Sequence, residues 1–146
     1  MVFINNKDDV NRKKTIQLQL EEIKDGLSRP PEIKSMKILK VGVLGSGLMG
    51  HGIAYVTALA GIKVVMIDTS QKNVNKGLSR IKTILNDSYN KGFISKEMIE
   101  DVISRINATH DSSKLAGCDL IIEAVFENRE LKAKVISDSE KFLKSN

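Results

Sequence analysis

The sequence predicts an α/β fold, in which helices cover both faces of a doubly wound parallel sheet. Short apolar runs at residues 41–44, 62–67 and 119–125 are typical of strands buried on both faces, as parallel strands are. Segments with apolar residues at helical spacing lie between these runs, and a glycine-rich turn follows the first run. A chain in which strands and helices alternate in this way forms a parallel sheet.

The glycine-rich turn has the spacing of a dinucleotide-binding turn, Gly45-x-Gly47-x-x-Gly50. Gly45 lets the chain leave the strand sharply, Gly47 lets the backbone approach a pyrophosphate, and Gly50 lets the next helix pack closely on the strand. The backbone N–H groups near Leu48 and Met49 are expected to face the phosphates. The turn predicts a Rossmann-type fold, and the alternative is a glycine-rich turn in another α/β domain.

Asp68 directly follows the second apolar run, close to the expected distance along the chain from the glycines. A carboxylate at this position can accept hydrogen bonds from both hydroxyls of an adenosine ribose, and it repels a 2′-phosphate. The predicted cofactor is therefore NAD rather than NADP.

Residues 1–37 are predicted to form a separate segment, one helix followed by a proline-containing linker. Four apolar residues recur at helical spacing within residues 9–27: Ile16, Leu20, Ile23 and Leu27. Two adjacent prolines prevent the helix from continuing, so residues 28–36 are predicted to be a linker. The segment is either a connector from another domain or a helix that caps the sheet.

Residues 38–146 are predicted to form a sheet of four strands in the order 3-2-1-4, with a short third strand over residues 106–109. Ser70, Ser95 and Asn128 are expected to cap the helices that follow the second strand. The helix after Ser95 is expected to turn five residues inward: Met98, Ile99, Val102, Ile103 and Ile106. The later strands of a complete sheet are missing, so the domain is expected to be incomplete at its C-terminal end.

Composition and charge exclude several classes of function. The net charge is +5, but the lysines are scattered among acidic residues without a basic stripe, so nucleic-acid binding is not expected. No apolar run is long enough to span a membrane, and no cluster of metal ligands is present. The single cysteine, Cys118, is expected to be a buried apolar residue. The expected location is the cytoplasm, with the mitochondrial matrix as the alternative.

Two motifs carry a resemblance to a known family. They are GSGLMGHGIAYVT at residues 45–57 and DLIIEAVFEN at residues 119–128, and together they resemble the signatures of 3-hydroxyacyl-CoA dehydrogenases. The similarity runs from Lys40 to Asn146 and is greatest to the dehydrogenase half of multifunctional fatty-acid oxidation enzymes. In that comparison residues 9–36 match the helix and linker that follow an enoyl-CoA hydratase part. The resemblance implies oxidation of a 3-hydroxyacyl-CoA to a 3-ketoacyl-CoA with NAD, in fatty-acid β-oxidation.

The resemblance also implies cofactor-binding residues at matching positions. The glycine turn, with Leu48 and Met49, matches the pyrophosphate contact, and Asp68 matches the ribose contact. Further matches lie beside the nicotinamide half or near the acyl-CoA: Val125, Phe126, Glu127 and Lys132. Without the resemblance, Glu127 is an acid favoured by a helix start, and Lys132 is an exposed lysine.

No catalytic residue is expected within the sequence. The family implies a histidine, oriented by a glutamate, that removes the hydroxyl proton while hydride passes to NAD. Its position lies downstream of Asn146, neither His51 nor His110 matches it, and His51 is interpreted as incidental. The chain is therefore expected to be inactive alone. The alternatives are a non-catalytic dinucleotide-binding module and a hydroxyisobutyrate-type dehydrogenase fragment.

The expected partners follow from the predicted fourth strand, whose outer edge lacks a fifth strand. An open apolar edge is a template for pairing with another chain. The chain is expected to associate with itself, or with a missing C-terminal or hydratase portion, and the complete enzyme is expected to bind an acyl-CoA substrate.

Overall fold

The computed structural model of the chain describes residues 6–26 and 29–142. The chain divides into two compact units, with the boundary between Lys37 and Ile38. The first unit contains helix α1 (Asn6–Lys24). The second contains the other elements: β1 (Lys40–Leu44), α2 (Leu48–Leu59), β2 (Lys63–Ile67), α3 (Gln71–Asn90), α4 (Lys96–Ser104), β3 (Ile106–Thr109), a 3-10 helix (Ser112–Leu115), β4 (Leu120–Glu123) and α5 (Arg129–Glu140).

Helix α1 begins before residue 9, where the predicted apolar segment starts, and it ends near Gly26 as predicted. Gly26 has φ 70° and its N–H donates to the Ile23 carbonyl at 3.1 Å, which is the usual way for a glycine to end a helix. Leu27, the last residue of the predicted apolar stripe, lies outside the described residues.

The four strands form one parallel sheet in the predicted order, β3-β2-β1-β4. In the centre of the sheet, Val43 of β1 is in register with Met66 of β2 and Ile122 of β4. This order places the carboxyl ends of β1 and β4 side by side. The glycine turn and the segment after β4 therefore begin at the same edge of the sheet, where doubly wound folds bind their ligands.

Strand β4 is shorter and less buried than predicted. It covers four residues, Leu120–Glu123, instead of residues 119–125, and none of its side chains is fully buried. The backbone explains the early end, because the Val125 N–H donates to the Glu123 carboxylate at 2.6 Å and not to a neighbouring strand. The lower burial follows from position, since β1 is the strand partner of β4 among the described residues.

The central strands are buried on both faces, as predicted for parallel strands. Successive residues point to opposite sides, so Val43 and Met66 belong to the core under α2, α3 and α4, whereas Leu44 and Ile67 belong to a second core. Cys118 lies in the second core as a buried free thiol, and burial raises the pKa of that thiol.

The three predicted helix caps are confirmed. Ser70 Oγ accepts a hydrogen bond from the Asn73 N–H, and Ser95 Oγ accepts one from the Met98 N–H. Asn128 Oδ1 accepts one from the Leu131 N–H at 2.9 Å. These bonds satisfy N–H groups that have no partner within the helix, and they fix where α3, α4 and α5 begin.

The predicted inward face of α4 is wrong at Met98, which is 44% exposed. Ile106 is buried in the core as predicted, but it belongs to β3 rather than to the helix. At about 100° per residue, Met98 lies roughly 40° to one side of the buried Val102, whereas the partly buried Ile99 and Ile103 lie on the other side. Met98 is therefore at the margin of the buried arc.

Met66 and Met98 give a matched test of this packing. Met66 is completely buried, so Met66→Ala should lower the free energy of unfolding by about 2–5 kcal/mol. Met98→Ala is the control, and it should cost well under about 1 kcal/mol because the side chain is largely exposed. Urea unfolding followed by circular dichroism measures both values, and equal losses would contradict the described core.

Candidate dinucleotide-binding site

The turn after β1 depends on Gly45. Its φ of 98° lies in the left-handed region, which residues with a side chain rarely adopt. A Cβ at this position would also lie 2.7 Å from the Ala124 carbonyl oxygen. The turn is further held to the sheet because the Gly45 N–H donates to the Ile67 carbonyl at 2.7 Å. Gly45 thus brings the turn against the segment that follows β4.

Gly50 is required for a different reason, the close approach of α2 to the turn. A Cβ on Gly50 would lie 1.8 Å from the Gly45 carbonyl oxygen, a distance that backbone atoms cannot accommodate. Any other residue would push α2 away from β1. The close packing that the sequence predicts for the third glycine is therefore present, and the contact is with the carbonyl of the first glycine.

Gly47 differs from both, because a Cβ there would meet no protein atom within 4 Å. The fold itself does not require a glycine at this position, which is the N-cap of α2. The open space leaves room for a pyrophosphate against the backbone, and the side chains of Leu48 and Met49, the first two residues of α2, are exposed. The first N–H groups of α2 have no partner within the helix and can receive an anion. The turn therefore fits the pyrophosphate of a dinucleotide.

Asp68 lies at the carboxyl end of β2 and is tied to the glycine turn. Its Oδ2 accepts hydrogen bonds from the Ser46 N–H at 2.8 Å and from Ser46 Oγ at 2.7 Å. Its Oδ1 accepts from the Thr69 N–H at 2.8 Å, from Thr69 Oγ1 at 3.2 Å and from Asn73 Nδ2 at 3.1 Å. The carboxylate is thus oriented by donors from three segments of the chain.

These donors determine the charge of Asp68. Burial by itself raises the pKa of the carboxyl, but the hydrogen bonds from Ser46, Asn73 and Thr69 together outweigh burial and lower it. Asp68 therefore remains ionised well into the acidic range. An ionised acid at the end of the second strand accepts ribose hydroxyls and repels a 2′-phosphate.

A crevice of about 470 Å³ opens beside the glycine turn. Gly45, Gly47 and Asp68 line it on one side, and Val125 and Phe126 line it on the other. Phe126 is 82% exposed, so its ring stands at the mouth of the crevice. Five of the ten predicted cofactor-binding residues therefore line one crevice.

Lys132 and Glu127 lie next to each other beyond the crevice lining. Lys132 Nζ is 2.9 Å from Glu127 Oε2 and 3.2 Å from Glu123 Oε2. The hydrogen bonds that Lys132 donates to Glu127 and Glu123 raise the pKa of Lys132, so the ammonium is charged at neutral pH. Lys132 is thus part of an ion-pair cluster, whereas its position alone suggests a solitary exposed lysine.

Three residues of this site were not among those predicted: Ser46, Asn73 and Glu123. Ser46 lies inside the glycine motif and Glu123 inside the second motif, so the motifs mark their positions but not their roles. Glu123 holds both the Val125 N–H and the Lys132 ammonium. Asn73 follows the helix cap by three residues, a spacing that gives no signal for a contact with Asp68.

The two histidines differ in their surroundings. His51 is buried, and its Nδ1 lies 2.5 Å from the Gly47 carbonyl oxygen, so Nδ1 carries the hydrogen in this contact. His51 therefore supports the glycine turn, although its sequence position suggested an incidental residue. His110 is exposed at the crevice, with Nδ1 3.0 Å from Gln71 Oε1.

Neither a membrane span nor a metal site is found among residues 6–26 and 29–142. No helix there is long and apolar enough to cross a membrane. No group of three or more His, Cys, Asp or Glu side chains there could hold a metal ion.

The fold and the site define a dinucleotide-binding domain, and comparison with known proteins identifies its family. Residues 40–146 match the family model of the 3-hydroxyacyl-CoA dehydrogenase NAD binding domain. The chain belongs to this family, and its cofactor is NAD. The family match supports the 3-hydroxyacyl-CoA interpretation over the hydroxyisobutyrate-type alternative.

Individual relatives agree with the family match. The chain is 41% identical over 101 residues to a 3-hydroxybutyryl-CoA dehydrogenase of Bradyrhizobium diazoefficiens, covering 69% of this chain and 34% of that protein. It is 37% identical over 106 residues to a glyoxysomal fatty acid beta-oxidation multifunctional protein of Brassica napus, covering 73% of this chain and 15% of that protein. The chain thus spans about a third or less of the length of these relatives.

Solved structures show the same fold. The (S)-3-hydroxybutyryl-CoA dehydrogenase of Ralstonia eutropha superimposes with a TM-score of 0.73 and 32% sequence identity, over 75% of this chain and 39% of that chain. The dehydrogenase part of multifunctional enzyme 1 of C. elegans superimposes with a TM-score of 0.66 and 25% identity, over 77% of this chain and 25% of that chain.

The space at Gly47 gives a direct test of the pyrophosphate contact. Gly47→Val should abolish NADH binding and leave the fold largely intact, because a Cβ there would occupy ligand space and meet no protein atom within 4 Å. Gly52→Val is the matched control, since a Cβ on Gly52, also within α2, has no neighbour within 4 Å. Calorimetric titration with NADH and thermal unfolding measure both variants. Unchanged NADH affinity in Gly47→Val would show that the turn does not bind the cofactor.

Asp68 gives a test of the ribose contact. Asp68→Ala should weaken NADH binding by about 10- to 100-fold, since hydrogen bonds to a charged group contribute roughly 1.5–3 kcal/mol. Asp111→Ala is the control, because the described side-chain contacts of Asp111 are with the Ser113 N–H and the Lys114 ammonium at the 3-10 helix. The wild-type chain should bind NADH more tightly than NADPH in calorimetry. Equal affinities for the two would contradict the role of Asp68.

Proposed function

We propose that this chain supplies the NAD-binding part of an L-3-hydroxyacyl-CoA dehydrogenase of fatty-acid β-oxidation. One observation supports the proposal above all. The glycine turn has open space at Gly47, where a pyrophosphate can bind, and Ser46 of the same turn is hydrogen-bonded to the ionised Asp68. In such an enzyme NAD takes up the hydride that leaves the carbon bearing the substrate hydroxyl.

The residues of the chain bind and orient the cofactor in this proposal. The turn from Gly45 to Gly50 holds the pyrophosphate, and Asp68 holds the adenosine ribose. Val125 and Phe126 line the part of the crevice that remains for the nicotinamide half. Glu127 and Lys132 extend this side of the site with paired charges, and an acyl-CoA is the proposed substrate near them.

We further propose that residues 1–146 bind NAD(H) without turning over substrate alone. No histidine in the chain has the position that a 3-hydroxyacyl-CoA dehydrogenase needs for its base. His51 is held by the Gly47 carbonyl, and exposed His110 contacts Gln71, with no glutamate bonded to either ring among the described contacts. A general base needs an orienting partner and reach to the substrate hydroxyl.

A two-step experiment tests the proposed function. Calorimetry with NADH measures cofactor binding by the chain, and oxidation of NADH by a short 3-ketoacyl-CoA measures turnover. The chain should bind NADH without turnover, and turnover should appear when the corresponding downstream region of the Ralstonia eutropha enzyme is fused after Asn146. Gly47→Val in the same fusion is the control and should remove activity. Binding without turnover in a folded fusion would favour a non-catalytic dinucleotide-binding module.

Self-association is the expected behaviour of the chain in solution. β4 has β1 as its partner on one side, and its first residue, Leu120, is 43% exposed at the edge of the described sheet. An exposed apolar edge pairs readily with another strand, either from a second copy or from a further portion of a longer protein.

A lysine at this edge tests the expectation. Leu120→Lys should shift the chain toward monomer, because charged residues, lysine above all, block edge pairing. Asn107→Lys is the matched control, since the exposed Asn107 lies in β3 at the opposite edge. Sedimentation over a concentration series measures both variants. A wild-type chain that stays monomeric to high micromolar concentration would refute the expectation.

A further inference from the structure

The glycine turn contains one buried polar side chain, Ser46, which is only 3% exposed. Both of its donors, the backbone N–H and the hydroxyl, point at the same atom, Oδ2 of Asp68, at 2.8 Å and 2.7 Å. A carboxylate oxygen has about two lone-pair sites, so Ser46 occupies Oδ2 completely. Ribose hydroxyls must therefore be accepted by the other oxygen, Oδ1.

Oδ1 has donors of a different kind. Besides the Thr69 N–H, it accepts from the side chains of Thr69 and Asn73, at 3.2 Å and 3.1 Å. Both residues are exposed, so their side chains can rotate away when a ribose hydroxyl arrives. The two carboxylate oxygens thus differ: Oδ2 is hydrogen-bonded to the buried Ser46, and Oδ1 can accept a hydrogen bond from a ligand.

Ser46 is itself held in place by α3. The Ser46 hydroxyl lies 3.0 Å from the Asn73 carbonyl oxygen, so it can share its hydrogen between that carbonyl and Asp68. Gly77 of α3 packs directly on it, since a Cβ there would lie 2.7 Å from Ser46 Cβ and 2.8 Å from the Ser46 carbonyl oxygen. Helix α3 therefore holds Ser46 in the position from which it donates to Asp68.

We propose that Ser46 is the positioning residue for NAD selection, which orients Asp68 so that Oδ1 faces the adenosine ribose. The proposal rests on the proposed role of Asp68 in binding NAD. With the hydrogen bonds from Ser46 in place, the negative charge stays where a 2′-phosphate would lie. Without them the carboxylate can turn, and both the ribose contact and the repulsion of NADPH weaken.

Ser46→Ala tests this role, because it removes the hydroxyl and keeps the backbone N–H contact. NADH affinity should fall about 5- to 20-fold, less than the loss expected for Asp68→Ala, because the carboxylate remains and keeps its bond from the Ser46 N–H. NADPH affinity should stay the same or rise, so the NADH/NADPH affinity ratio should fall at least 5-fold. Ser95→Ala is the matched control: it removes the hydrogen bond from the Met98 N–H that caps α4, which affects stability, and it should leave the ratio unchanged.

A spectroscopic measurement separates positioning from a general loss of stability. The pKa of Asp68 depends on burial and on hydrogen bonds from Ser46, Asn73 and Thr69, with no charged neighbour contributing among the described residues. Removal of the Ser46 hydroxyl should therefore raise that pKa, and carbon-13 NMR of the side-chain carboxyl can follow the titration. Ser95→Ala should not change it.

The outcomes are distinct. An unchanged affinity ratio and an unchanged Asp68 titration in Ser46→Ala would overturn the proposal. If Ser46→Ala does not fold, Ser46→Cys, with a thiol that donates weakly, replaces it with the same expected directions. A wild-type chain that binds neither NADH nor NADPH would overturn the proposed cofactor role itself, whereas the NMR titration would still report whether Ser46 holds Asp68.

Discussion

The close approach of backbone to backbone at Gly45 and Gly50 is the constraint on which the rest of the structure depends. A side chain on Gly50 would enter the Gly45 carbonyl, and a side chain on Gly45 would enter the Ala124 carbonyl. Because both positions lack a Cβ, the end of β1, the start of α2 and the segment after β4 converge within a few ångströms. This convergence exposes the first N–H groups of α2 to a ligand and forms one end of the crevice.

Around the crevice, several polar side chains bind one another and thereby fix the positions of the residues that face the ligand. Ser46 and Asn73 orient Asp68, and Glu123 holds both the Val125 N–H and Lys132. The Ser46–Asp68 contact joins the turn after β1 to the end of β2, and the Glu123–Lys132 pair joins β4 to α5, so these side chains have fixed positions before a cofactor arrives. Lys132 is an example. Two of its three N–H donors are bonded to the carboxylates of Glu123 and Glu127, which fix the position of the ammonium and leave the third donor for another partner.

The buried core of the sheet and the exposed side chains around the crevice have different roles. The core residues of β1 and β2 are buried on both faces, whereas Leu48, Met49 and Phe126 are exposed around the crevice. Apolar side chains that face solvent at a concave site are available to contact a ligand. β4 is less buried than β1, because among the described residues β4 has a neighbouring strand on one side and β1 has one on each side.

The sequence by itself determined the strand order, the glycine turn, the acid after β2 and the three helix caps, because these follow from local spacing and backbone sterics. Only the tertiary structure decided which oxygen of Asp68 is anchored, since Ser46 lies 22 residues away and meets it through the register of β1 and β2. It likewise decided that β4 ends at Glu123, that His51 holds the Gly47 carbonyl and that Met98 is exposed. Periodicity predicts which face of an element is apolar, but contacts between distant side chains depend on how the elements pack together.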